Sequence, residues 1–198
     1  VLGASVFMAL MIASYFFSWG VALSVLAVLI AFLLMRKEFH SVRLLALIVP
    51  FSFLFSLPNW LSVWRAVESS WYVSSVLRDG LFYTHYPLMN KFLIASLCFS
   101  LLCIAVDYTR KRKKGEPYRL EYWHLFSFAF LLGGIWAYSQ QIVTGRTIWP
   151  YHFVQYTIPL AAVAVFTVLF HLRRSLWYLW HIAIALGISL SVIFGVYV

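Results

Sequence analysis

Gln140-Gln141-Ile142-Val143-Thr144-Gly145-Arg146-Thr147-Ile148-Trp149-Pro150-Tyr151-His152-Phe153 is a short polar interruption between two long apolar runs. Glycine after the last turn of one helix and proline before the next are ordinary punctuation between joined helices. The flanking runs, about 120–143 and 153–171, each have the roughly 20 residues that one membrane crossing needs. Apolar runs broken by short polar connectors recur through the chain. That pattern predicts an all-α fold, a polytopic transmembrane helical bundle.

Composition points the same way. Hydrophobic residues make up 64% of the chain and charged residues 11%, against roughly 45–50% and about 25% in soluble domains, so there is too little polar surface to face water all round. The net charge of +9 sits mostly in the connectors, where it reads as an orientation signal; no nucleic-acid partner is expected. Cys98 and Cys103 lie in one apolar run, roughly 140° apart around a helix, and read as packing residues without a bridge. The apolar run beginning at Val1 has no basic leader, so it does not read as a signal peptide, and a longer chain upstream is compatible with it.

Working outward, the reading places one transmembrane domain over 1–198, with about seven spans at 1–17, 20–35, 44–64, 91–108, 120–143, 153–171 and 176–198. The first two spans are separated by a turn at Ser18-Trp19-Gly20, and Pro50 and Pro58 kink the third or end it early. Residues 65–90 mix Arg65, Glu68, Arg78 and Asp79 with Trp71, Tyr72, Tyr83 and Tyr86, a pattern suited to an outer interfacial segment and to a membrane-protein partner. Eleven Lys and Arg fall in loops 36–43, 109–119 and 172–175, and four fall on the other side. By the positive-inside rule the eleven are cytoplasmic, so 65–90 and the Thr144-Gly145-Arg146 loop face outward together, in a cell (cytoplasmic) membrane. The run Arg110–Lys114 anchors this topology and could also attract anionic membrane lipids.

Arg146, Gln140, Gln141, Tyr151 and His152 are what punctuation does not require. A guanidinium offers forked donors to phosphate or carboxylate, and amides and imidazole beside it can orient a sugar or pyrophosphate. They form the candidate substrate-binding set; the competing reading has Arg146 snorkelling to water while Tyr151 and His152 join the interfacial aromatic belt. Glu68 and Asp79 are the carboxylates placed outside and the candidates for catalysis, although Arg78-Asp79-Gly80 is equally a charged turn. Asp107 reads as half of a local ion pair in preference to a proton relay. His124 with His181, and His85 with His152, could be matched in depth for a haem, but no helix carries two histidines at opposite depths, and neither a cofactor nor a metal site is expected. Phosphate-binding glycine loops, zinc spacings and nucleophile elbows are absent from the sequence, and Gly133-Gly134 reads as a close helix contact.

QQIVTGRTIWPYHFVQY, residues 140–156, resembles a segment of large multi-span bacterial membrane proteins that are similar to the GT-C class of glycosyltransferases. The resemblance implies transfer of a sugar from a polyprenyl-phosphate donor at the outer face of the cytoplasmic membrane, with Arg146 at the donor phosphate and Gln141 and His152 near the sugar. That class carries an acidic catalytic motif in its first outer loop, which here is only Ser18-Trp19-Gly20. Either the catalytic acid lies upstream of Val1, or the chain has no transferase activity. The alternatives are a transporter or lipid-handling protein without chemistry, and a structural membrane subunit.

Overall fold

A computed structural model describes the backbone of residues 1–14, 16–72, 74, 82–86, 88, 90–147 and 150–196; within these, the side chains of residues 16, 17, 82, 150–152, 154, 188 and 190–196 lie outside the description. The described elements are helical apart from one pair of two-residue strands. They run α1 (Leu2–Ser14), α2 (Phe16–Met35), α3 (Phe39–Ala46), α4 (Ile48–Phe55), α5 (Leu57–Val67), β1 (Phe82–Tyr83), α6 (Lys91–Lys113), α7 (Tyr122–Ser139), α8 (Gln141–Thr144), β2 (Arg146–Thr147), α9 (Pro150–His171) and α10 (Trp177–Val196).

Ser18-Trp19-Gly20, where a turn is expected, lies within helix α2. The Ser18 hydroxyl donates to the Met11 carbonyl at 3.2 Å, across seven residues that a straight helix would hold about 10 Å apart. The chain therefore bends sharply here, and Met8 and Ile12 of α1 pack with Trp19, Ala22, Leu23 and Leu26 of α2. Gly20 is an ordinary helical residue with open space around it, so its freedom is not used for a turn.

Of the kinks expected in the third apolar run, the one at Pro58 occurs. The run splits into α3, α4 and α5, with a bend of 55° between Phe39–Phe55 and Leu57–Val67. Pro58 lies in the first turn of α5. Without an N–H it cannot bond the Leu54 carbonyl, and its ring crowds that carbonyl, so the helix restarts in a new direction. Trp60, one turn beyond Ser56, donates its indole N–H to the Ser56 hydroxyl at 3.0 Å and holds the corner.

The N-cap of α6 is Asn90, whose side-chain oxygen accepts from the N–H groups of Phe92 (3.0 Å) and Leu93 (3.2 Å). Its buried residues, Leu93, Ser96, Ser100, Cys103 and Asp107, recur at alternating spacings of three and four and so form one stripe. The helix continues past the expected end at 108 into the cationic run, because Arg110 to Lys113 complement the partial negative charge of its last carbonyls. Gly115, at φ 72°, then reverses the chain. Cys98 and Cys103 are both free thiols.

Helix α7 sits between α2 and α9, its principal neighbours, while α6 packs on α9 and α1 on α4. The approach of α2 is close: a Cβ built on Gly133 would lie 2.6 Å from the Val25 Cα. Gly133-Gly134 is thus the contact between helices that the sequence suggests, with Gly133 the closer of the two. Leu93, Leu131, Ala161 and Ala164 form the core between α6, α7 and α9.

Helices long and apolar enough to cross a membrane are present, at Ser18–Met35 and Lys91–Lys113, with the bent pair Phe39–Phe55 and Leu57–Val67 a third if it counts as one crossing. The expectation of seven spans is not supported. Helix α1 has 13 residues, about 20 Å of rise against a hydrocarbon core of about 30 Å. Contacts nevertheless gather three basic connectors. Arg36 donates to the Leu120 carbonyl, Tyr122 donates to Glu38 at 2.9 Å, and Arg110 donates to the Ser175 carbonyl.

Candidate functional site

The loop after α7 is held by segment 82–88. Strand β1 pairs antiparallel with β2, Phe82 opposite Thr147 and Tyr83 opposite Arg146. The Thr84 N–H donates to the Gly145 carbonyl at 3.0 Å. Ser139 donates to the Leu88 carbonyl at 2.9 Å, and the Gln141 amide to the Tyr86 carbonyl at 3.1 Å. Two stretches more than fifty residues apart therefore act as one structural unit. Residues 82–86 and 88 of the expected outer segment thus meet the loop.

Gly145 is required here for two reasons. Its φ of 66° is left-handed, and a Cβ would lie 2.9 Å from the His85 ring. The His85 Nδ1–H donates to the Ile142 carbonyl at 3.0 Å, which fixes the imidazole beneath the glycine. The loop closes on itself through Gln140, whose Nε2 donates to the Arg146 carbonyl at 3.0 Å and whose Oε1 accepts from Thr144 at 2.8 Å.

The expected site residues separate under this geometry. Arg146 is exposed, its guanidinium lying 5.6 Å over the Tyr83 ring. No carboxylate lies within ion-pair distance of it among the described residues. A guanidinium over an aromatic face offers forked donors to an anion. Gln141 is fully buried; its amide nitrogen is used on Tyr86, and its Oε1 is buried without a partner. Gln140 is engaged in loop closure. The Tyr151 and His152 side chains lie outside the described residues, although both positions fall in the first turn of α9. Glu68 is exposed immediately after α5, while Asp79 lies outside the described residues. Sequence reasoning did not assign Tyr83, His85 or Ser139 to this site, because their roles depend on pairing between distant segments. Tyr83 and His85 could have been found only from their position in the same outer segment.

A second polar cluster occupies the end where the basic connectors meet. His124 is 2% exposed. Its Nδ1 accepts from the Glu121 N–H at 2.9 Å, so the proton of the neutral ring is on Nε2, which donates to the Tyr118 hydroxyl at 2.8 Å. Burial, then the charges of Asp107 and Glu121, push the Tyr118 phenol up to about 12. Lys111 lies 5.2 Å from the Tyr118 ring centroid and pairs with the buried Asp107 at 3.1 Å, the local ion pair expected for that carboxylate. His181 Nδ1 bonds the Trp177 carbonyl of its own helix. Among the described residues, no group of three His, Cys, Asp or Glu could hold a metal ion.

The chain matches no protein-family profile, no curated protein and no solved structure.

Proposed function

We propose that this membrane protein receives a lipid-borne phosphate at the 139–147 loop, and that it works as part of a GT-C-like glycosyltransferase on a polyprenyl-phosphate-linked sugar. The observation that carries this reading is Arg146, exposed and with no carboxylate partner among the described residues, on a loop braced by the β1–β2 pairing. In this reading the loop faces outward from the cell membrane, the basic connectors face the cytoplasm, and Arg146 binds the phosphate. Gln141, buried and bonded to the Tyr86 carbonyl, supports the loop from beneath, and Glu68 is the first carboxylate to test for catalysis.

The test is thermal stability in neutral detergent, with and without a polyprenyl phosphate, for the parent protein and for Arg146→Ala. At 100 times its dissociation constant the lipid should add about 2.7 kcal/mol of apparent stability to the parent, and most of that should vanish in the variant. A parent that is not stabilised would remove the phosphate site. The exposed apolar side chains of α5 and the following turn, Leu61, Trp64, Val67 and Trp71, then favour a structural subunit docked through that surface.

A further inference from the structure

At the end opposite the loop, the last turns of α6 and the turn between α9 and α10 enclose a cavity of about 640 Å³. Five cations line it: Arg110, Lys111, Lys113, Lys114 and Arg174. Two carboxylates, Asp107 and Glu116, oppose them, leaving a surplus of three positive charges. Asp107 is already paired with Lys111. Arg110 bridges the cavity wall, donating to the Ser175 carbonyl and approaching the Ser175 hydroxyl at 3.2 Å, so one guanidinium is positioned by the far side of the opening.

A cationic run needs no cavity if its role is only to anchor topology; charges splayed into water would do this with less mutual repulsion. Here a turn from a different helix pair adds Arg174 and fixes Arg110, converting a linear run into a concave one. Concave walls of one sign concentrate counter-ions of the opposite sign. We infer that this cavity is a binding site for a multiply charged phosphate anion, either the headgroup of an anionic membrane lipid or a free diphosphate. The site is distinct from the Arg146 loop and does not depend on its function. Its location at the polar end of α6, an apolar helix long enough to cross a membrane, suits a headgroup; exposed Phe166 and Phe170 on α9 lead away from His171 at its rim.

The experiment compares two triple variants that remove equal charge. Lys113→Gln/Lys114→Gln/Arg174→Gln empties the cavity wall, whereas Lys37→Gln/Arg43→Gln/Arg112→Gln alters cations that do not line it. Each is titrated in neutral detergent with dioctanoyl phosphatidic acid, with dioctanoyl phosphatidylcholine and with inorganic pyrophosphate, and circular dichroism without ligand checks that each is folded. Phosphatidic acid should bind the parent and the control triple at least tenfold more tightly than phosphatidylcholine, and the cavity triple should lose that preference. Lys113→Arg/Lys114→Arg/Arg174→Gln, which returns two of the three positive charges, should recover it. Pyrophosphate that binds the parent and competes with phosphatidic acid assigns the site to the phosphate group itself; lipid binding that pyrophosphate does not displace assigns it to the membrane headgroup. Equal loss in both triples would show diffuse attraction and overturn the inference, as would parent-like binding by the cavity triple. Polyprenyl-phosphate stabilisation that survives in the cavity triple and vanishes in Arg146→Ala separates failure of this site from failure of the loop site.

Discussion

Tyr118 bonds the buried His124, so its chemistry reports on that cluster. Its hydroxyl is the acceptor for the Nε2–H of His124, and replacing it by Phe would leave that donor buried without a partner, a loss of about 1–3 kcal/mol. The phenol titrates near 10.0 when unperturbed and at about 12 in the folded chain. The folded state therefore holds the proton more tightly between those values, and stability falls as pH rises from about 10 through about 12. Thermal melts of the parent should show this alkaline decline, whereas Tyr118→Phe should be less stable at neutral pH and lack the part of the decline due to the phenol. Equal slopes in parent and variant would assign the decline elsewhere. None of this was legible in the sequence, where Tyr118 is one of several aromatics near a cationic run. Arg146 was legible, because an arginine between glycine and proline at an apolar boundary is conspicuous without any partner. Gln141 was legible as polar but not as buried, since the carbonyl it bonds belongs to Tyr86, more than fifty residues earlier.

Elements pack here through the absence of side chains as much as through their presence. Ala129, Gly133 and Ala137 recur every four residues on α7, and the two alanines are buried. Small residues at that spacing let a helix backbone approach, as is common between helices in membranes. The Gly133→Ala variant would place its Cβ against the Val25 backbone, where no flexible side-chain end can move aside. The expected cost is about 1–3 kcal/mol with displacement of α2, measured by thermal melting against Gly134→Ala. The second variant meets the movable end of Leu93 at 3.3 Å and should cost less. A larger loss at Gly134 would show that α2 does not set the spacing. The proline bend after α4 was readable because it depends on a missing N–H and a local ring clash. The bend between α1 and α2 was misplaced, because a glycine permits a turn without requiring one.

For the molecule as a whole, the expectation to test is that its two polar clusters lie on opposite sides of a membrane. In a background with Cys98→Ala and Cys103→Ala, Arg146→Cys should react with a membrane-impermeant maleimide on intact cells, and Lys114→Cys only after permeabilisation. The reverse pattern would invert the topology, and equal reaction at both on intact cells would remove the crossing between them. What the sequence by itself determined is the helical, membrane-compatible class, the proline bend and the polar loop. These follow from composition and from local backbone chemistry, which act over a few residues and are written in consecutive letters. Only the tertiary structure decided that β1 pairs with β2, that His85 sits under Gly145, that His124 bonds Tyr118 and that the cationic run closes into a cavity. Each of these joins residues on separate elements, and apolar helices with nearly uniform sides carry little in their own periodicity to say which face meets which neighbour.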